Sequence, residues 1–166
     1  MCSIAPAITG LSAFDQAGID RLTVRQVEDK LTDPEQVRRS RQLPMRFLSA
    51  YRATHGGSVV SSWPKVIEQA LGLSLINVPV LSGRTLILVD LSGSMYQSKM
   101  SDNSDLRYVD AASVFGAALA LRAEQADLYG FGWEPRRYEF TRGDSLLPLA
   151  NRLTGTKIDG ASHGYR

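Results

Sequence analysis

Apolar residues recur at two different periods along this chain, and the period changes near Ser82-Gly83. Upstream, Val24, Val27 and Leu31 are spaced to share one face of a helix, with Thr23 placed to cap it. Asp33-Pro34 predicts an N-cap and a first helical residue for a helix over Glu35 to Arg41, because the first turn has no use for the N–H that proline lacks. Pro44 opens a third helix containing Phe47, Leu48 and Tyr51, which Gly56-Gly57 ends. Ser62 is placed to cap a fourth, with Val66, Ile67, Ala70 and Leu71 at helical spacing. Short helices with short connections predict antiparallel helical packing.

Downstream the pattern is α/β. Thr85 to Val89 is a continuous apolar run of strand formers, which predicts a strand buried on both faces of a parallel sheet. Asp90 to Arg107 is polar and serine-rich and reads as a long loop. A small-residue helix follows over Asp110 to Arg122, with Gly116 permitting close packing on a sheet. Ala126 to Phe131 predicts a second strand and Tyr138 to Phe140 a short edge strand. Asp144 is placed to cap a helix through Leu146, Leu147, Leu149 and Leu153.

The chemistry concentrates where the first strand ends, in Asp90-Leu91-Ser92-Gly93-Ser94. Open α/β sheets bind ligands at the carboxyl ends of their strands. Asp90, Ser92 and Ser94 alternate, so their side chains can converge, and Gly93 lets the backbone turn between the serines. One carboxylate and two hydroxyls are hard oxygen donors. They suit Mg²⁺ or Mn²⁺ first, and Ca²⁺ also, whereas zinc calls for cysteine or histidine. With a single protein charge, the cation keeps an open coordination position that an acidic group can fill. A haloacid-dehalogenase-type phosphotransferase also places an aspartate after a buried strand, but it needs a second carboxylate two residues on, where this chain has Ser92. No Ser/His/Asp arrangement or phosphate-cradling glycine loop stands elsewhere, so the chain reads as a binding module and not as an enzyme.

Bulk properties narrow the picture only a little. With 166 residues and a hydrophobic fraction of 43%, the chain is long and apolar enough for one domain or two small ones. A net charge of +2 selects no partner class, but the charge is unevenly placed. Arg38, Arg39, Arg41, Arg46 and Arg52 fall in one stretch without an acidic residue; they either hold phosphates or line a solvated helix face. Tyr51, Phe47 and Trp63 read as packing residues. Asp102 and Asp105 read as solvated loop positions. Cys2 is the only cysteine, the first residues lack a basic leader, and no apolar run approaches the ~20 residues of a membrane span. A cytoplasmic location with no membrane partner is the expectation.

The D-x-S-x-S loop, with its buried strand before and small-residue helix after, resembles the von Willebrand factor A domain. In that family the loop forms the metal-ion-dependent adhesion site, which implies Asp90, Ser92 and Ser94 as ligands. The family adds a threonine from a second loop. Thr156, preceded by Gly155, matches that place, with Thr154 as the alternative; a plain helix-ending turn is the competing reading of both. The family's third-loop aspartate has no counterpart, since Asp159 stands too close to Thr156.

A narrower resemblance runs through VRQVEDKLTDPEQVRRSRQLPMRFLSAY and WPKVIEQALGLSLINVPVLSGRTLILVDLSGSM. These segments are similar to the TROVE (Ro autoantigen) family, and the resemblance covers roughly residues 23–134. That family joins a ring of HEAT-like helical repeats to an A domain and binds small noncoding RNAs, including Y RNAs. The resemblance implies that residues 1–83 are the end of the helical module. It implies that residues 84–166 are the N-terminal part of a von Willebrand A (Rossmann-like) parallel sheet, C-terminally incomplete. It also implies small noncoding RNA as partner, with an acidic protein ligand at the metal as a further one. A complete protein of this kind needs several hundred residues.

Overall fold

The structure is a computed structural model that describes residue 4 and residues 20–55, 62–102 and 106–155. It divides into two compact units, Met1–Asn77 and Val78–Arg166.

The first unit is helical. Helix α1 spans Arg21–Thr32 and starts earlier than the spacing of its apolar residues suggests. Asp20, not Thr23, is its cap. The Asp20 carboxylate accepts the amides of Leu22 and Thr23 at 2.8 and 3.0 Å, and the Thr23 hydroxyl donates to the same carboxylate at 2.8 Å. A carboxylate outcompetes a hydroxyl here because it also meets the positive end of the helix dipole. Helix α2 spans Pro34–Ser40, with Asp33 accepting from Glu35 and Gln36 as expected. It ends on Arg41 in the left-handed region, φ 54°.

Helix α3 spans Pro44–His55 and α4 spans Trp63–Leu73. Ser62 precedes α4 but does not cap it. Its backbone is helical and its hydroxyl donates to the Glu28 carboxylate in α1. Helix α4 packs against α1, α2 and α3. It carries Trp63, Ile67 and Leu71 into a core shared with Leu31, Val37, Phe47 and Leu48. A 3₁₀ turn over Ser74–Asn77 closes the unit, and the Asn77 amide donates to the carbonyls of Val37 and Gln42 at 3.0 and 2.9 Å.

The second unit holds a three-stranded sheet. Strand β1 spans Leu81–Asp90, β2 Ala123–Phe131 and β3 Arg136–Tyr138, in the order β1-β2-β3. The β1–β2 pairing is parallel and the β2–β3 pairing antiparallel, so the sheet is mixed and the edge strand sits earlier than Tyr138–Phe140. Gly83 is not a boundary: β1 runs through it, with φ 73° and a register irregularity between Leu81 and Arg84.

Helix α5 spans Gly93–Gln97, a short element inside the stretch read as loop. Helix α6, Tyr108–Arg122, is the crossover between the parallel strands and packs on both of them. Gly116 makes that approach possible: a Cβ there would collide with Val89 Cγ2. Helix α7, Leu146–Thr154, packs on α6. Asp144 does not cap it. Its carboxylate instead accepts from the Thr141 hydroxyl at 2.8 Å and Arg152 at 2.7 Å, which holds its carboxyl below the usual carboxylate range.

The expectation that β1 is buried on both faces is overturned. Ile87 and Val89 are 7% and 3% exposed, under α6, whereas Leu86 and Leu88 are 61% and 59% exposed. The register places Leu86 beside Asp127 and Leu88 beside Tyr129 on the other face, which no element covers among the described residues. Among the described residues of this unit, the helix packed on both parallel strands, α6, lies on the Ile87 and Val89 side. Among the described residues no helix is long and apolar enough to cross a membrane.

Candidate metal loop and its supports

Asp90 is the last residue of β1, at the carboxyl end of the parallel pair, and is partly buried. Its Oδ1 accepts the Ser92 amide at 2.8 Å, so the side chain folds over the turn that follows it. The Ser92 and Ser94 hydroxyls lie 3.2 Å apart. Ser92 takes the N-cap position of α5 without using its side chain there, which leaves the hydroxyl turned to Ser94. The three residues read as ligands are therefore gathered in one turn.

A glycine of the neighbouring strand and another just past its end shape that turn. A Cβ at Gly130 would collide with Leu91 Cδ1, and one at Gly132 would stand 2.8 Å from the Leu91 carbonyl oxygen and 3.1 Å from the Ser92 nitrogen. The Leu91 amide donates to the Phe131 carbonyl at 2.6 Å, extending the ladder one step past the strand. Leu91 itself faces β2, so its neighbours in the motif can turn toward the rim.

The donors fit a hard divalent cation in kind: a carboxylate and two hydroxyls that already approach each other. Among the described residues no group of three or more His, Cys, Asp or Glu side chains gathers anywhere, and this loop offers one carboxylate with two hydroxyls. Thr156, the expected threonine, lies outside the described residues, as does Asp105. The alternative, Thr154, is buried and its hydroxyl donates to the Asn151 carbonyl at 3.1 Å. Gly155 follows in the left-handed region, φ 66°, where glycine carries no Cβ penalty. Asp102 is exposed.

Sequence reasoning missed the supports of this loop. The Tyr96 hydroxyl donates to the Thr154 carbonyl at 2.9 Å, tying α5 to the end of α7. The Tyr96 carbonyl accepts from Arg107 Nη1 at 2.8 Å, and the Arg107 amide donates to Asp110 at 2.9 Å. Asp110 is fully buried in the first turn of α6. An acidic residue three positions after the residue that precedes a helix is a capping spacing that could have been found. The partners of Tyr96 are too distant in sequence to read.

The arginine group is less uniform than its spacing suggests. Arg38 grips Glu35 with two bonds of 2.7 Å, and Arg39 adds a third at 2.7 Å. Together they hold the Glu35 carboxyl at about 2. The stretch from Arg38 to Arg52 contains no acid, yet one stands three residues before it, at the helical spacing that pairs side chains. Arg41 is the left-handed end of α2, Arg41 and Arg46 are exposed, and Arg52 is half-buried.

No protein-family profile matches the chain. It is 32% identical over 151 residues to the RNA-binding protein Ro60 of Deinococcus radiodurans, an alignment covering 85% of this chain and 28% of that protein. The crystal structure of the Deinococcus radiodurans Ro (RSR) protein superposes with a TM-score of 0.74 at 25% identity, covering 92% of this chain and 33% of that one. The chain thus spans about a third or less of the length of these relatives. The similarity runs through both units, helical segment and sheet alike, and the chain belongs to the Ro (TROVE) family.

Proposed function

We propose that this chain acts in RNA binding as part of a Ro-type ribonucleoprotein, and that Asp90, Ser92 and Ser94 of its sheet unit hold a divalent cation. The RNA part is supported by the 32% identity to a protein named for RNA binding. Small noncoding RNA is the class proposed. Arg41 and Arg46 offer exposed guanidiniums for phosphate, and Arg38 and Arg39 can join them by exchanging Glu35 for a phosphate.

The metal part is supported by one observation above the others: two serine hydroxyls 3.2 Å apart, next to a carboxylate at the carboxyl end of a strand buried on one side. Mg²⁺ or Mn²⁺ is the proposed ion, with Ca²⁺ also compatible with oxygen donors. When bound, it supplies a positive charge with an open position for an acidic group of a protein ligand, and Thr156 is the proposed fourth side chain.

Thermal unfolding with and without Mg²⁺ or Mn²⁺ tests the loop. The ion is expected to raise the melting temperature of the parent chain, and Asp90→Ala is expected to abolish the rise, since ligand stabilisation follows occupancy. Equal rises in both proteins would refute the assigned loop. Binding of a single-stranded RNA is expected to weaken steeply with salt; a flat response refutes the RNA part.

A protein-binding module without an RNA role is the second reading, and the occupation of Arg38 and Arg39 by Glu35 favours it. Purification from cells without nuclease separates the two: abundant protein partner and no RNA supports the second.

A further inference from the structure

We infer that Tyr96 is the positioning residue of the metal loop, fixing the Ser92–Ser94 turn by one bond to the end of α7 and another to the start of α6. The inference rests on the metal reading proposed above for the loop itself. Helix α5 has only five residues and begins at the loop, so its own backbone bonds hold it weakly. Tyr96 compensates through both its ring and its peptide. Its hydroxyl reaches the Thr154 carbonyl, at the helix end where carbonyls outrun the helix's own amides. Its carbonyl takes Arg107 Nη1, and Arg107 is in turn held at the start of α6 through Asp110.

The consequence for the ligands is direct. The Met95 amide donates to the Ser92 carbonyl at 3.0 Å and the Ser98 amide to the Ser94 carbonyl at 3.1 Å, so the two serines are spanned by the same turn of backbone that Tyr96 pins. With that turn held, the hydroxyls stay facing one another before any cation arrives. The same hydroxyl bond places the Thr154–Gly155 turn against the loop's helix.

A matched control exists. The Tyr138 hydroxyl donates to the Leu153 carbonyl at 3.4 Å, one residue earlier on the same helix end, but from β3. Tyr138→Phe therefore removes a tyrosine–carbonyl bond to α7 without touching α5. Two readouts apply to the parent chain, Tyr96→Phe and Tyr138→Phe: Mn²⁺ affinity by titration, and amide hydrogen exchange of Met95 and Ser98 without metal. Tyr96→Phe is expected to weaken Mn²⁺ binding by about tenfold, in the range for partners that orient ligands, and to speed exchange at both amides; Tyr138→Phe is expected to do neither. Equal losses in the two variants, or unchanged exchange in Tyr96→Phe, would overturn the inference. If the parent binds no Mn²⁺ while Tyr96→Phe still speeds exchange, the metal reading fails and the positioning role stands.

Discussion

Glu35 sets how much of the basic helical segment is available. It is exposed, so its ion pairs with Arg38 and Arg39 contribute little to stability. Their effect is on charge. One carboxylate shared by two guanidiniums cancels one of their two charges and engages donors of both that could otherwise meet phosphate. Glu35→Gln is expected to tighten single-stranded RNA binding and to steepen its salt dependence, by about 0.7 in log–log slope for each additional phosphate neutralised. Fluorescence anisotropy across a salt series measures both, and an unchanged slope would show that these arginines do not meet RNA.

The same carboxyl has a pH consequence. Its folded value of about 2 lies below its ordinary 4.5, so the pairing contributes above 4.5 and is lost as pH falls toward 2. Because the pair is exposed and adds little to stability, the readout is the carboxyl itself: its titration followed by NMR is expected to fall well below the ordinary carboxylate range in the parent, and an ordinary midpoint would count against the pairing.

At the scale of elements, glycine marks where two backbones must meet. Helix α6 reaches the sheet over Gly116, where Val89 takes the space a Cβ would need. Gly116→Ala is expected to destabilise the fold. Overpacking against a stiff valine costs about 1–3 kcal/mol, more than the roughly 1 kcal/mol that alanine returns in helix propensity. Denaturant unfolding measures the difference, and a more stable variant would mean that the helix can slide outward freely. Gly132 plays the corresponding part at the loop, with peptide instead of side chain as the neighbour, so nothing there can rotate away. Asp20, Asp33 and Asp144 show that an aspartate before a helix has several outlets. The first two cap, whereas Asp144 is drawn off by Thr141 and Arg152.

For the whole molecule, the uneven burial of the sheet is the main feature. Arg84, Leu86, Leu88, Asp127, Tyr129 and Arg137 line an open groove of about 450 Å³ on its bare face. Arg84, with Arg137 beside it, holds the Asp127 carboxyl below its ordinary value and gives the groove a polar rim. Exposed leucines in a row promote association between molecules. Leu86→Ser with Leu88→Ser is expected to reduce concentration-dependent light scattering of the purified chain while leaving its melting temperature nearly unchanged. A large fall in melting temperature would mean that the face is covered.

Much of this was legible in the residues. Helix starts at Pro34 and Pro44, the strand before Asp90, the packing role of Gly116 and the grouping of Asp90, Ser92 and Ser94 all follow from neighbours within a few positions. Local propensity, apolar period and the close spacing of a few polar side chains act over one or two turns of chain, so one sequence carries them without a fold. Tertiary structure decided the rest. Which face of β1 is covered depends on where α6 lies, not on the leucines, because Leu86 and Ile87 are equally apolar. What Ser62 and Tyr96 bond to depends on groups 34 and 58 residues away, brought near only by packing. A side chain chooses its partner by distance in space, and that distance is set when the chain closes on itself.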